Sequence, residues 1–270
     1  MTAHPNRMTR RLLSTALVLG LATPALAQRA DFQWEKALPA GNDVSISNVN
    51  GNITVKPSTS GKVEVTGTKR GNSRYFDEIK AEARETSRGV VICVLHVDDD
   101  SHCDDEGGRH YGHHDWNDTR MDLEVAVPAN LRVSASSVSG DVSVDGAHGD
   151  LDANSVSGDI RLDRLHATSI HANTVSGDID VGVDELAGRG DLAFHSVSGD
   201  VTLSVPHGFD ADLSMSTVSG DINSDFPITL GNGRMSRRRL EARIGNGGRR
   251  LEVSTVSGDL RLRSPNARRG

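Results

Sequence analysis

SASSVSGDVSVD (residues 134–145) returns five more times along this 270-residue chain, and its recurrence decides the fold. The other copies are DANSVSGDIRLD (152–163), HANTVSGDIDVG (171–182), AFHSVSGDVTLS (193–204), SMSTVSGDINSD (214–225) and EVSTVSGDLRLR (252–263). A divergent copy, SISNVNGNITVK (45–56), lies far upstream. The motif glycines are separated by 18, 19, 22, 21 and 38 residues. Because the last gap is twice 19, we expect one unit without the motif around 230–250.

Each copy predicts a strand, a tight corner and a second strand. Apolar residues alternate with polar ones on both sides of the motif, as in Val133, Ala135, Val142 and Val144, and period two is typical of strands. Glycine permits a positive φ at the corner, and aspartate can bond the turn backbone. The predicted structural turn residues are Gly140, Asp141, Gly158, Asp159, Gly177, Asp178, Gly199, Asp200, Gly220, Asp221, Gly258 and Asp259.

The repeat length indicates the fold class. Units of about 20 residues are too short for propeller blades or helical repeats, whereas they suit the coils of a β-solenoid. We therefore predict an all-β, single-stranded, β-helix-like stack of about 20-residue coils. An antiparallel β-sandwich is the alternative, but it does not explain why one corner sequence recurs.

The chain ends and one internal loop depart from the repeat. Residues 1–27 combine three arginines, an apolar run and the small-x-small pattern Ala25-Leu26-Ala27, which predicts a cleaved signal peptide, by the general or the twin-arginine route. Residues 28–264 are predicted to form one elongated domain, with 98–120 an inserted polar loop and 265–270 a disordered tail. The mature chain is therefore expected to be exported, without a membrane span, and to be periplasmic, cell-surface or secreted.

The composition argues against one class of partner. The formal net charge is -7, and removing the three arginines of 1–27 makes it -10, so nucleic acid is not an expected partner. Only 3% of the residues are aromatic, which indicates a thin, regular core.

The chain resembles a family of exported bacterial β-strand-repeat proteins that are labelled adhesins by analogy and have no established function. The resemblance rests on the N-terminal signal, on FQWEKALPAGNDVSISNVNGNITV and on the serial [ST]VSGD[IVL] copies. It implies a right-handed β-helix-like stack and no catalytic residues. It also implies a binding or scaffold role. The label "adhesin" itself is an analogy and not a demonstrated activity.

The polar loop holds the candidate metal ligands. His102, His110, His113, His114 and Asp115 are of the types that bind Zn²⁺ or Cu²⁺, although their spacing matches no standard site. No cofactor is expected. The loop can be a solvated surface loop or a weak Zn²⁺ site, and both interpretations stay open. The motif aspartates can stabilise the turns or bind Ca²⁺ weakly, and these alternatives also stay open.

Cys93 and Cys103 are the only cysteines. In an exported chain they predict a disulfide at the base of the loop, and a free or metal-bound thiol is the alternative.

Arginines cluster where the motif fails. Arg237, Arg238, Arg239, Arg249 and Arg250 predict either a solvated cap or a patch for an anionic envelope or extracellular partner, including an acidic face of another copy. We expect a non-enzymatic scaffold that binds an unidentified partner or matrix along a regular face. Self-association is one alternative, and a polysaccharide-processing β-helix enzyme is another.

Overall fold

The computed structural model describes residues 30–97, 102–104, 107–109, 119–230 and 235–264. The predicted signal peptide and C-terminal tail lie outside the described residues. One 3₁₀ helix spans Ser73–Glu78. The strands of the first half are β1 (Phe32–Lys36), β2 (Asp43–Asn50), β3 (Ile53–Pro57), β4 (Val63–Arg70), β5 (Ile79–Glu85), β6 (Gly89–His96), β7 (His102–Asp104), β8 (Gly107–Arg109), β9 (Arg120–Val127), β10 (Arg132–Ser139) and β11 (Val142–Asp145). Those of the second half are β12 (His148–Ser157), β13 (Ile160–Ser176), β14 (Ile179–Leu186), β15 (Leu192–Ser198), β16 (Val201–Ser204), β17 (Ala211–Ser219), β18 (Ile222–Ser224), β19 (Ile228–Thr229), β20 (Met235–Ser236), β21 (Arg239–Ile244), β22 (Arg250–Ser257) and β23 (Leu260–Arg263).

Each repeat forms one coil, in which a strand enters the corner and another leaves it. We call the entering strands layer A and the leaving strands layer B. Layer A contains β2, β10, β12, the second half of β13, β15, β22 and β17. Layer B contains β3, β11, the first part of β13, β14, β16, β23 and β18. Within both layers successive coils pair in parallel, so the predicted β-solenoid-like stack is confirmed and the antiparallel sandwich is wrong.

Equivalent residues of the coils stack in register and fill the core. Ala135 pairs with Ala153, Ala153 with Ala172, and Ala172 with Phe194. The row ends in larger side chains, and all its members are buried: Ala135, Ala153, Ala172, Phe194, Val253 and Met215. Strand alternation points every second residue inward, so the sequence period becomes a continuous apolar column.

The order of the coils differs from the order of the chain. Strand β22 lies between β15 and β17, and β23 lies between β16 and β18, so the last repeat is inserted one coil before the end. The expected coil around 230–250 is wrong. That segment contains β21, which runs antiparallel to β17 and to β19 and covers the end of the stack.

The opposite end is formed by strands that lie between residues 32 and 127. Strands β6 and β9 add a coil next to β2 and β3. Antiparallel β5 then covers the layer A edge, while β4 and β1 cover the layer B edge. Phe32 and Trp34 are partly buried against the core. Antiparallel pairing at both ends replaces further coils and limits edge-to-edge growth.

Candidate interaction surface

The hydroxyl groups of the motif tie each corner to the preceding coil. The Oγ of Ser155 donates a hydrogen bond to the carbonyl oxygen of Gly140 at 3.1 Å, and the Oγ1 of Thr174 donates to that of Gly158 at 3.2 Å. The same bond recurs from Ser137, Ser196, Thr255 and Thr217 at 3.1–3.2 Å. These side chains are buried. Serine and threonine suit these six positions because a short hydroxyl can donate to this carbonyl from inside the corner.

The motif glycine is required by a close approach between coils. At Gly177 φ is +154°, and an added Cβ would lie 2.6 Å from the carbonyl carbon of Gly158 and overlap its oxygen. The same overlap recurs at each of the other motif glycines, which are Gly140, Gly158, Gly199, Gly258 and Gly220. Any side chain here would force two coils apart.

The motif aspartates also bond between coils. The Oδ1 of Asp159 accepts from the backbone N–H of Asp178 at 2.9 Å, and Asp141, Asp178, Asp200 and Asp259 accept equivalent bonds. The sequence predicts bonds within each aspartate's own turn, whereas the observed bonds run to the next coil. The carboxylates therefore stabilise the contact between neighbouring coils.

One aspartate has a shifted ionisation. Arg261 contacts the Oδ2 atoms of Asp200 and Asp259, each at 2.6 Å. Partial burial opposes the charged form of Asp200, but the Asp259 amide and the Arg261 guanidinium outweigh it and hold the Asp200 pKa below its usual value.

The polar loop replaces the corner of the first coil. Strand β6 enters this corner and β9 leaves it. In the neighbouring coil of the stack, β2 and β3 have the same roles. The Oδ1 of Asp122 accepts from the backbone N–H of Asn52 at 3.1 Å, and the Nδ2 of Asn48 donates to the carbonyl of Met121 at 2.8 Å. Met121 and Asp122 thus take the places of the motif glycine and aspartate. The chain segments that flank the loop therefore lie at the head of the column of corners.

A disulfide between Cys93 and Cys103 is confirmed, with Cα atoms 5.8 Å apart. Both cysteines are buried with Val91 and Leu95 on the outer side of β6, where β7 and β8 contact that strand. The Nη1 of Arg84 also donates to the carbonyl of Cys103 at 2.9 Å. Because its sulfur is bonded, Cys103 does not offer a thiolate to a metal.

The proposed metal ligands are not tested by the structure. His110, His113, His114 and Asp115 lie outside the described residues, and only the backbone of His102 is described. Within the described ranges, no three His, Cys, Asp or Glu side chains are grouped closely enough to hold a metal ion.

The motif valines form an exposed row on the outer side of layer A. Between 45% and 61% of each residue is exposed: Val138, Val156, Val175, Val197, Val256 and Val218, in stack order. The partly buried Val49 continues the row at the loop end. We call these seven residues the valine row. Large apolar side chains aligned along a surface are a recognised mark of an interaction site.

The neighbouring outward rows are already bonded within the molecule. The Nδ2 of Asn173 donates to Asn154 at 2.9 Å, and His195 contacts the Oγ of Ser254 at 2.7 Å. Further along layer A, Arg132 donates to Asp43 at 2.6 Å. The exposed valine side chains cannot form hydrogen bonds of this kind. Their methyl groups can be removed from water only by contact with another surface.

The arginines differ in their surroundings. Arg237, Arg238 and Arg239 are exposed on and before β21, beyond the Val218 end of the valine row. Arg239 is bonded to Glu241, and Arg250 to Glu252 at 2.6 Å. The predicted patch therefore comprises exposed and internally paired side chains.

Arg249 is the exception, because only 5% of it is exposed. Its guanidinium donates to the carbonyls of Thr168, Ala187, Gly188 and Gly190. Burial lowers the pKa of Arg249, and the Asp191 carboxylate acts in the opposite direction. Arg249 precedes β22 directly and fixes the inserted last coil to the 187–190 turn.

Sequence reasoning missed the valine row although the signal was present. Ser137 belongs to the inward-pointing set with Val133 and Ala135, so Val138 has to point outward. The role of Arg249 had no such signal, because its partners are backbone carbonyls about 60 to 80 residues away.

The fold and its corner ladder define a parallel β-solenoid-like protein. Residues 37–263 match the family model described as Toastrack DUF4097, and the chain belongs to that family. No curated protein is significantly similar to it. In the described part of the chain, no helix has the length and apolar character needed to cross a bilayer.

Three solved structures are similar at low identity. A "putative cell adhesion protein" from Clostridium sporogenes shares 8% identity over 86% of this chain and 99% of that one, with a TM-score of 0.48. A "putative adhesin" from Bacteroides fragilis shares 14% over 86% and 96%, with a TM-score of 0.43. Another from Parabacteroides merdae shares 11% over 86% and 95%, with a TM-score of 0.31.

Proposed function

We propose that this protein is an exported, non-enzymatic scaffold of the cell envelope that binds a partner or matrix along the valine row. One observation carries the proposal: six valines, each 45–61% exposed, are aligned on consecutive coils of one face. Two further features support it. The disulfide suits an oxidising compartment outside the cytoplasm, and the N-terminal sequence has the pattern of an export signal.

The corner bonds prepare the row for binding. Each valine is followed two residues later by the motif glycine and preceded by a buried Ser or Thr that is bonded to the neighbouring coil, as at Val156 and Ser155. The valine backbone is therefore held before a partner arrives, and a preordered surface loses less conformational entropy on binding.

The test compares variants of residues 28–270 for binding to isolated cell-wall and envelope preparations and to a glycan array. Val156→Lys and Val197→Lys place charges in the row, while Thr54→Lys places one on the exposed side of layer B. We expect the first two to reduce binding at least about tenfold because charge is not accommodated at an apolar contact. The Thr54 control should bind like the parent protein. Equal binding by all variants contradicts the use of the row, and cleavage of a bound glycan contradicts a non-enzymatic role.

A further inference from the structure

The valine row runs beside a row of carboxylates. In each motif copy the aspartate follows the valine by three residues, so their Cα atoms are at most about 10 Å apart. Asp141, Asp159 and Asp178 are exposed on three consecutive coils, and we call these three residues the acidic stripe. Equivalent positions of neighbouring coils are about 4.8 Å apart, so these like charges repel one another unless a cation lies beside them. A partner that covers the valines therefore also meets negative charge.

The negative charge is concentrated on one part of the corner column. Arg261 forms ion pairs with Asp200 and Asp259, whereas within the described part of the chain no cation is paired with the acidic stripe. The nearest basic residue in layer B, Arg161, lies in register beside Asp180, so its charge is balanced there. The corner is therefore acidic beside the first three exposed valines and closer to neutral beyond them.

The chain itself bounds both ends of the valine row. Beyond Val49 the outward row continues to Leu95 on β6, which is only 1% exposed because β7 and β8 cover this side of the strand. At the other end, the Thr217 amide donates to the Arg238 carbonyl at 2.9 Å and holds a basic segment beside the corner of Asp221. The surface open to a partner thus comprises the six exposed valines, about 24 Å in length.

We propose that the valine row and the acidic stripe together bind a basic amphipathic α-helix of another protein chain, which lies along the stack. The inference rests on the proposed function, and it names the partner of the same surface. Leucine-type side chains of the helix cover the valines, and its lysines or arginines lie beside the acidic stripe. A helix of about 16 residues covers the 24 Å of exposed row.

The arrangement of the two rows favours a helix over an extended segment. An extended strand directs successive side chains to opposite sides, so a second set of side chains faces away from the surface. A helix presents an apolar stripe with a basic stripe next to it on the same side. Lysine stems can then reach around the corner, with their methylene groups over the serines that separate valine from aspartate. An anionic membrane surface, by contrast, is repelled by the acidic stripe.

The shape of the surface determines the strength of the contact. It is a strip about 24 Å long and about one helix wide, or ~10 Å. This is far less than the roughly 800 Å² per partner of a stable interface, so the contact belongs to the weak, transient class. We expect a dissociation constant of about 100 µM at low ionic strength. Because the carboxylates are exposed, salt should weaken the binding.

The chain itself shows how to remove the negative charge without disturbing the stack. Asn52 occupies the aspartate position of the divergent copy, and its Oδ1 accepts from the amide of Asp141 at 3.0 Å, as the Oδ1 of Asp159 accepts from Asp178 at 2.9 Å. Asparagine therefore keeps the bond between coils. The charge variant combines Asp141→Asn, Asp159→Asn and Asp178→Asn. A control variant removes three exposed charges elsewhere, by Asp77→Asn, Glu85→Gln and Asp184→Asn.

The experiment measures binding of residues 28–270 to a fluorescent helical peptide of about 16 residues by anisotropy. The peptide carries a leucine stripe beside a lysine stripe, and a second peptide has glutamate in place of lysine. We expect the charge variant to bind the lysine peptide at least about tenfold more weakly and the control variant to change binding less than about twofold. The glutamate peptide should not bind. Raising the salt from about 50 to about 300 mM should weaken binding at least about threefold.

Val175→Asp tests the apolar part of the contact. This change adds a negative charge beside the lysines, so a purely electrostatic site would bind the peptide more tightly. We expect binding at least about threefold weaker, because the substitution places a charge in the apolar contact. Tighter binding by Val175→Asp, or equal binding by the charge and control variants, overturns the inference.

Two other occupants of the surface are tested in parallel. Binding to phosphatidylglycerol vesicles that Val175→Asp abolishes would assign the row to a membrane and overturn the inference. Sedimentation equilibrium of the protein alone tests a second copy. A dimer that is lost in Val175→Asp would overturn the inference in the same way.

The two proposals fail in different ways. If Val156→Lys abolishes binding to envelope preparations but the charge variant binds them like the control variant, the partner is not basic; the inference then fails and the proposed function stands. If envelope binding responds neither to Val156→Lys nor to the charge variant, both proposals fail.

Discussion

Replacing the motif glycine of a central coil should reveal how strongly the corners hold the stack. Gly177→Ala adds a Cβ where φ is +154° and where the carbonyl of Gly158 already occupies the space. Holding alanine in this region of φ costs about 1–3 kcal/mol. The overlap is a separate effect, because it can be relieved only by moving the two coils apart.

The cost of that movement follows from the bonds it lengthens. The amide of Gly158 donates to Ser176 at 3.0 Å, and the amide of Ile160 donates to Asp178 at 2.9 Å. Losing two such bonds costs about 2 kcal/mol. Adding the backbone strain, we expect Gly177→Ala to lower the free energy of unfolding by about 4 kcal/mol. For a domain of this size that is a fall in melting temperature of roughly 8–16 °C.

Gly208→Ala is the matched control. Gly208 also has a positive φ of +78°, but no atom lies within 4 Å of an added Cβ. Its cost should be about 1–2 kcal/mol, and both variants reduce the freedom of the unfolded chain equally. Urea unfolding followed by far-UV circular dichroism measures both variants. A difference of less than about 1 kcal/mol between them would refute the close-approach argument.

Three further results are expected. Arg249→Met should destabilise the protein by about 2–4 kcal/mol in urea unfolding, because the buried carbonyls lose their hydrogen-bond donor. Arg250→Met removes only an exposed ion pair and should change stability by less than about 1 kcal/mol. Equal effects of the two substitutions contradict the buried role of Arg249. Reducing the disulfide should lower stability by about 3 kcal/mol, as expected for a loop of ten residues, and an unchanged melting curve contradicts this. Because the pKa of Asp200 is lowered, its stabilisation is present above its unfolded-state pKa and is lost as the pH falls through the folded value. The stability difference between wild type and Arg261→Met should therefore shrink below about pH 4, and a constant difference contradicts the linkage.

The repeat was sufficient to predict the stack, because period and turn chemistry are local properties. Alternation around Ala135 and Val142 predicts the inward column, and Gly140 predicts the corner. The disulfide was also predictable, since only two cysteines were available. In each case the decisive information lies within about 20 consecutive residues.

The order of the coils was not predictable in this way. The copies at 214–225 and 252–263 have the same corner sequence, so either is suitable beside β15, and the spacing of 38 residues is compatible with an extra coil. The choice depends on long-range contacts such as the four carbonyls around Arg249 and the antiparallel β21. Partners this distant in sequence leave no periodic signal.

The inserted last coil has a consequence for how the chain folds as it is made. From the β2–β3 coil onward, the coils from β10 to β16 can add in the order of synthesis, each on the edge left by the one before. Strands β17 and β18 appear next, but their neighbours β22 and β23 follow tens of residues later. Until these emerge, the β15 edge stays open, so the stack cannot be completed vectorially from a ribosome or a translocation channel. Closure has to be a late event, dependent on the last repeat, and the chain remains vulnerable to proteolysis at that edge until then.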